Sequence, residues 1–143
     1  MPIIDASVII EMINVKGKYH AHASIIKREI DNDRLKVYIP FPNLSEIYYI
    51  AYRIYSHLGI DTQKAKDLVQ WLLYHKNVII HHLSLDIIFL AGDIKNKYHI
   101  SIMDSFNFAL AKLLNKKLIF KSKEMEFSDM LLNDFEVIFL EQF

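Results

Sequence analysis

Residues 3–10, Ile-Ile-Asp-Ala-Ser-Val-Ile-Ile, set a carboxylate and a hydroxyl among apolar residues that belong in a core. Ile3 and Ile4 read as a short buried strand. From Ala6 the pattern turns helical and runs for a few turns, until the Gly17 region breaks it. Asp5 therefore ends a strand. A carboxylate in such a setting is costly unless hydrogen bonds, an opposite charge or a metal compensates it. No helix cap is expected to require an acid at a strand end, and so Asp5 reads as functional rather than structural.

The same alternation of strand and helix recurs outward from this stretch. Residues 19–35 place Ala23, Ile26 and Ile30 at spacings of three and four, the mark of an amphipathic helix. Residues 36–40 form a brief strand stopped by Pro40 and Pro42. A strong helix follows over 43–59, with Asn43 as its cap and Gly59 at its end. The next helix begins at a cap of Asp61 or Thr62 and carries Leu68, Trp71, Leu72 and His75 on one side. Residues 77–83 are a third strand, and helices over 84–99 (despite Gly92) and 101–117 lead to a fourth at 117–121. A short helix over 123–134 and a final strand over 135–141 close the pattern. Strands alternating with helices of this length imply parallel strands joined by helical crossovers. The expected fold is a three-layer α/β/α sandwich with a mainly parallel sheet of about five short strands, in one domain over residues 1–143. Such sheets bind ligands at the C-terminal ends of their strands, where Asp5 stands.

Composition bounds the function. Hydrophobic residues make up 52% and charged residues 24%, as in a globular protein. Lys plus Arg and Asp plus Glu each total 17, so the net charge is zero. Zero net charge argues against bulk electrostatic capture of nucleic acid and leaves room for a local basic rim around an acidic site. Cysteine is absent, which removes disulfides and thiolate zinc sites. No signal peptide is read, and no run reaches the length needed to span a bilayer; the expected address is the cytoplasm.

Further acids fall at comparable places. Glu46 lies in the first turn of the helix after the second strand, Asp104 in the first turn of a later helix, and Glu124 and Glu126 just beyond the fourth strand. In a parallel fold these positions share one edge of the sheet. The bland alternative is capping: Asn43 and Ser101 each stand three residues before an acid, and an acid in a first turn gains roughly 0.3–1 kcal/mol from the helix dipole. Clustered carboxylates without basic partners raise one another's pKa, a problem that a divalent cation removes; hard oxygen ligands favour Mg²⁺ or Mn²⁺.

With these residues in view, the chain resembles the PIN domain family, and within it the VapC-type toxins of prokaryotic toxin–antitoxin pairs. Asp5-Ala6-Ser7 matches the family's first D-[TSA]-[SN] signature, Glu46 its second acid, and Tyr98, Ile100, Ser101 and Asp104 its Y-x-I-S-x-x-D stretch. The chain departs from T-x-D-x-x-F after the fourth strand. Phe120 and Ser122 take the Thr and Asp places, and Glu124-Met125-Glu126-Phe127 restores the D-x-x-F spacing with Glu. Glu124 is the expected fourth acid, Glu126 its reserve. Ser105 replaces the usual Ala after the third acid.

The resemblance implies a metal-dependent endoribonuclease that hydrolyses RNA phosphodiesters. Asp5, Glu46 and Asp104 would hold one Mg²⁺ or Mn²⁺, Glu124 would support a second metal or position water, and Ser7 and Ser101 would support the acids or touch substrate. It also implies a homodimer and an antitoxin partner whose helix lies in an apolar groove. The helix carrying Tyr48, Tyr49, Tyr52 and Tyr55 is apolar nearly all round, which suits either core or interface. His20, His22, His81 and His82 lack zinc spacing and read as structural or surface residues. Two rivals stand: a PIN-like RNA- or protein-binding module that has lost catalysis, for which the missing T-x-D speaks, and a phosphotransfer domain using Asp5 as acceptor, which gives Glu46 and Asp104 no joint purpose.

Overall fold

Ile3 and Ile4 form β1 (Ile3–Ile4), the middle strand of a five-stranded sheet, and their side chains enter opposite cores. The protein is described here from a computed structural model that covers residues 1–143. In chain order β1 is followed by α1 (Ala6–Ile13), α2 (His20–Asp31), β2 (Val37–Pro40), α3 (Asn43–His57), α4 (Gln63–Tyr74) and β3 (Val78–His81). The second half contains α5 (Leu85–Tyr98), α6 (Ile102–Leu114), β4 (Leu118–Phe120), α7 (Asp129–Asp134), β5 (Val137–Phe139) and a closing 3₁₀ turn (Leu140–Gln142).

All pairings are parallel and the strand order is β3-β2-β1-β4-β5. Successive strand residues point to opposite faces, and each face is covered by helices. Ile4, Val37, Ile39 and Ile119 face a core built with α1 to α4; Ile3, Leu118 and Phe120 face one built with α5 to α7. The chain runs from β1 out through β2 to β3, then returns to the other side of β1 with β4 and β5. The order thus reverses between β1 and β4. Outside the carboxyl ends of those two strands lies the crevice where open α/β sheets bind ligands.

Three local expectations need correction. Asp5 does cap a helix: its Oδ2 accepts from the Ser7 N–H at 2.9 Å at the start of α1, because a two-residue strand leads straight into that helix. Asn43 does not cap α3. Pro42 occupies the cap position, and the Asn43 side chain is fully buried, turned inward from the first helical turn. The helix expected over 123–134 forms only from Asp129, after a Ser128 cap; residues 121–128 are irregular. Gly59 behaves as read, with φ +69° just beyond the end of α3. On α3 the buried strip is Asn43, Leu44, Ile47 and Ala51, while Tyr49 and Tyr52 are exposed. No helix is long and apolar enough to cross a membrane.

Candidate active site

Carboxylate oxygens of Asp5, Asp104 and Glu124 lie within 4.8 Å of one another at the β1–β4 switch point. Each arrives by a separate local device. Asp5 is fixed by the turn from β1 into α1. Asp104 stands in the first turn of α6, where its N–H donates to Ser101 Oγ at 3.1 Å, a side-chain cap of the usual kind. Ser105, fully buried, donates its hydroxyl to the Ser101 carbonyl at 2.8 Å, so this departure from Ala leaves no unmet polar atom.

Glu124 is placed by Phe127. The Phe127 N–H donates to the Glu124 carbonyl at 3.0 Å, closing a tight turn, and the Phe127 ring is buried against Phe108 and Phe120 with centroids 5.7 and 4.9 Å away. The E-x-x-F spacing read from the sequence is therefore an anchor and a turn. Met125 between them is fully exposed. Glu126 comes back to the start of α6: its carboxylate oxygens accept from the Ser101 N–H at 3.2 and 3.3 Å.

Glu46 lies outside the group of three but close to it. Half-buried in the first turn of α3, it feels the charges of Asp5 and Glu124. Ser7 serves Asp5 through its backbone N–H, while its Oγ accepts from the Lys121 N–H at 3.1 Å and ties the end of β4 to α1.

Electrostatics follow from burial and crowding. Desolvation pushes the Glu46 carboxyl up to about 7, helped by Asp5 and Glu124. Asp5 is pushed up by burial, against hydrogen bonds from Ser7 and Asn107 that favour its charged form. Asp104 is pushed up to about 10 by burial, by its hydrogen bond with Glu126 and by the neighbouring acids. Glu124 rises through burial, whereas Glu126 is held low by Asp104 and the Ser101 N–H. None of these acids forms an ion pair with a basic side chain. Three crowded, all-oxygen donors without a counter-cation suit a hard divalent cation, so the residues present fit such an ion. A concave surface of about 780 Å³ opens at the opposite end of the sheet, beside Pro2, Leu35 and Lys117; its two acids, Asp134 and Glu136, do not form a metal-spaced cluster.

The histidines take no part. His20 Nδ1 contacts the Glu11 carbonyl at 2.8 Å, His22 Nδ1 the Phe143 carbonyl at 2.9 Å, and His82 lies against Phe41. A residue the sequence reading passed over does: Asn107 Nδ2 donates to Asp5 Oδ1 at 2.7 Å. Its signal was available. Asn107 is three residues after Asp104, hence on the same helical face, in the otherwise apolar run Phe106 to Leu110.

Residues 3–130 match the PIN domain family. The chain belongs to that family. No curated protein matches the sequence. Among solved structures, this PIN domain is similar to a toxin–antitoxin complex from Klebsiella pneumoniae, at 16% identity and TM-score 0.66, over 98% of both chains. It is similar at 16% identity and TM-score 0.66 to VapC20 of Mycobacterium tuberculosis, a toxin that cleaves the sarcin–ricin loop, over 82% of this chain and 87% of that one. FitAcB from Neisseria gonorrhoeae aligns over the whole of both chains at 13% identity and TM-score 0.64. The three share the fold of this PIN domain. The family is one of nucleases that generally use divalent metals, which puts the chain, at that coarse level, among hydrolases.

Proposed function

We propose that this PIN domain is a divalent-metal-dependent endoribonuclease of the VapC toxin type, which hydrolyses RNA phosphodiesters at the acidic crevice. The observation that carries the reading is the approach of Asp5, Asp104 and Glu124 to within 4.8 Å without a basic partner. Asp5, Asp104 and Glu124 would hold Mg²⁺ or Mn²⁺, with Glu46 contributing from the rim, through water. When bound, the ion supplies Lewis-acid stabilisation of the charge that develops on the phosphate and lowers the pKa of the attacking water.

The protein's own part is positioning. The caps and turns described above fix three carboxylates before substrate arrives, so little order must be imposed during the reaction. The Ser101 N–H retains Glu126 beside Asp104, keeping a further acceptor at the mouth of the crevice. Ser7 holds the Asp5 carboxylate at one oxygen. Glu124 takes the place that the missing T-x-D leaves open, and this supports an enzyme over a binding module.

An antitoxin partner fits the same reading. Solved relatives include toxin–antitoxin complexes, and an apolar groove between α3 and α4, lined by Phe41, Leu44, Tyr48, Val69 and Leu73, suits an amphipathic helix. A second copy of the chain, as a homodimer, is the other expected partner.

Cleavage of single-stranded RNA with Mn²⁺ or Mg²⁺ tests the function. The wild-type chain should cut internally and stop when the ion is chelated. Asp5→Asn and Asp104→Asn should each lose on the order of 100-fold or more while remaining folded. Undiminished cleavage by both variants, or the same cleavage in chelator, would overturn the proposal.

A further inference from the structure

Beyond the acids, the crevice holds one further buried polar feature. Asn107 Nδ2 donates to Asp5 Oδ1 at 2.7 Å, and Asn43 Nδ2 donates to Asn107 Oδ1 at 2.7 Å. Both asparagines are wholly buried. Asp5 follows β1, Asn43 opens α3 on one face of the sheet, and Asn107 lies in α6 on the other. The chain of bonds therefore crosses the end of the sheet and fastens both helical layers to one carboxylate.

Its direction is fixed by charge. An ionised carboxylate only accepts hydrogen bonds, so Asn107 must present its NH₂ to Asp5 and its carbonyl to Asn43. Asn43 then spends its NH₂ on Asn107, and its own Oδ1 is left buried without a partner. An unmet buried acceptor is destabilising, so the arrangement satisfies Asp5 Oδ1 and leaves the unmet atom at Asn43, away from the carboxylate. Its effect is on Asp5: the Ser7 N–H holds Oδ2 and Asn107 holds Oδ1, which fixes the plane of the carboxylate and leaves a lone pair on each oxygen.

We propose that Asn107 and Asn43 are positioning residues, a buried amide relay that holds the Asp5 carboxylate in the orientation a bound divalent cation needs. The inference rests on the metal site proposed above. Partners that orient a ligand from behind typically change metal affinity by about 10- to 100-fold when removed.

Calorimetric titration of the full chain with Mn²⁺, without RNA, tests it. Asn107→Leu should weaken binding by about 10-fold or more. Asn43→Leu should weaken it about two- to threefold, and should add nothing further in the Asn107→Leu background, because its effect reaches Asp5 only through Asn107. A merely structural pair would not show that coupling in metal affinity. A folded Asn107→Leu chain that binds Mn²⁺ as tightly as wild type overturns the relay. If Asn107→Leu does not fold, Asn43→Leu decides, and unchanged affinity there overturns it equally. A wild-type chain that binds no Mn²⁺ overturns the metal site and the relay with it, whereas tight wild-type binding with insensitive variants overturns the relay alone.

Discussion

The backbone N–H of Phe127 donates to the carbonyl of Glu124 at 3.0 Å, and through that bond a core aromatic ring sets the place of a crevice acid. Phe127 is the only part of the irregular segment 121–128 that is fully buried. Phe127→Ala should cost about 3–5 kcal/mol in denaturant unfolding, the usual range for an emptied aromatic site. It should also weaken Mn²⁺ binding, since Glu124 loses its anchor. Phe127→Leu, which keeps much of the anchor, should cost less in both measurements.

Glu124 and Glu46 differ in proximity, and metal titration should rank them. Glu124 belongs to the group of three within 4.8 Å and Glu46 does not. Glu124→Gln is therefore expected to weaken Mn²⁺ binding by about 10-fold or more, and Glu46→Gln by clearly less. Glu126→Gln should fall nearer to Glu46→Gln, because its carboxylate is already engaged by the Ser101 N–H.

Stability of the metal-free chain should fall as pH rises through the crevice's titration. Glu46 is raised from 4.5 to about 7 in the folded chain, so the unfolded chain gives up this proton first. Stability is then greatest below the unfolded value and declines between about 4.5 and about 7. Thermal midpoints measured across that window should drop, Glu46→Gln should flatten part of the drop, and Mn²⁺ should restore stability most at the upper end.

Ser105→Ala should be nearly silent. The Ser105 hydroxyl donates to the Ser101 carbonyl, which also accepts the Ser105 N–H at 2.9 Å. Losing one of two donors to the same acceptor should cost at most about 1 kcal/mol, with Mn²⁺ affinity unchanged.

Much of this was legible in the residues, and the misreadings have physical causes. The alternation of β-branched runs with helical periodicity is strong wherever both faces of a strand are buried, and the parallel sheet followed from it. Asp5 and Asp104 were visible because each stands at a strand end or a helix start, and Glu124 because its spacing to Phe127 matches the family's D-x-x-F. What the sequence could not carry was direction. Asn43 has the residue type and spacing of a cap, yet the Asn107 amide draws it into the core. A strand of two residues gives no warning that a helix begins at once, which hides the capping role of Asp5 in the sequence. Residues 123–134 hold enough apolar residues for a helix, but Phe127 is pulled to the aromatic core and the helix waits for Ser128.

The proposed chemistry of the crevice requires that Asp5, Asp104 and Glu124 together hold a divalent cation. Anomalous diffraction from crystals grown with Mn²⁺ measures this most directly. The expected result is a manganese peak in the crevice with an oxygen of each of the three carboxylates at about 2 Å. A crevice without a manganese peak, at Mn²⁺ concentrations that support RNA cleavage in solution, would contradict it.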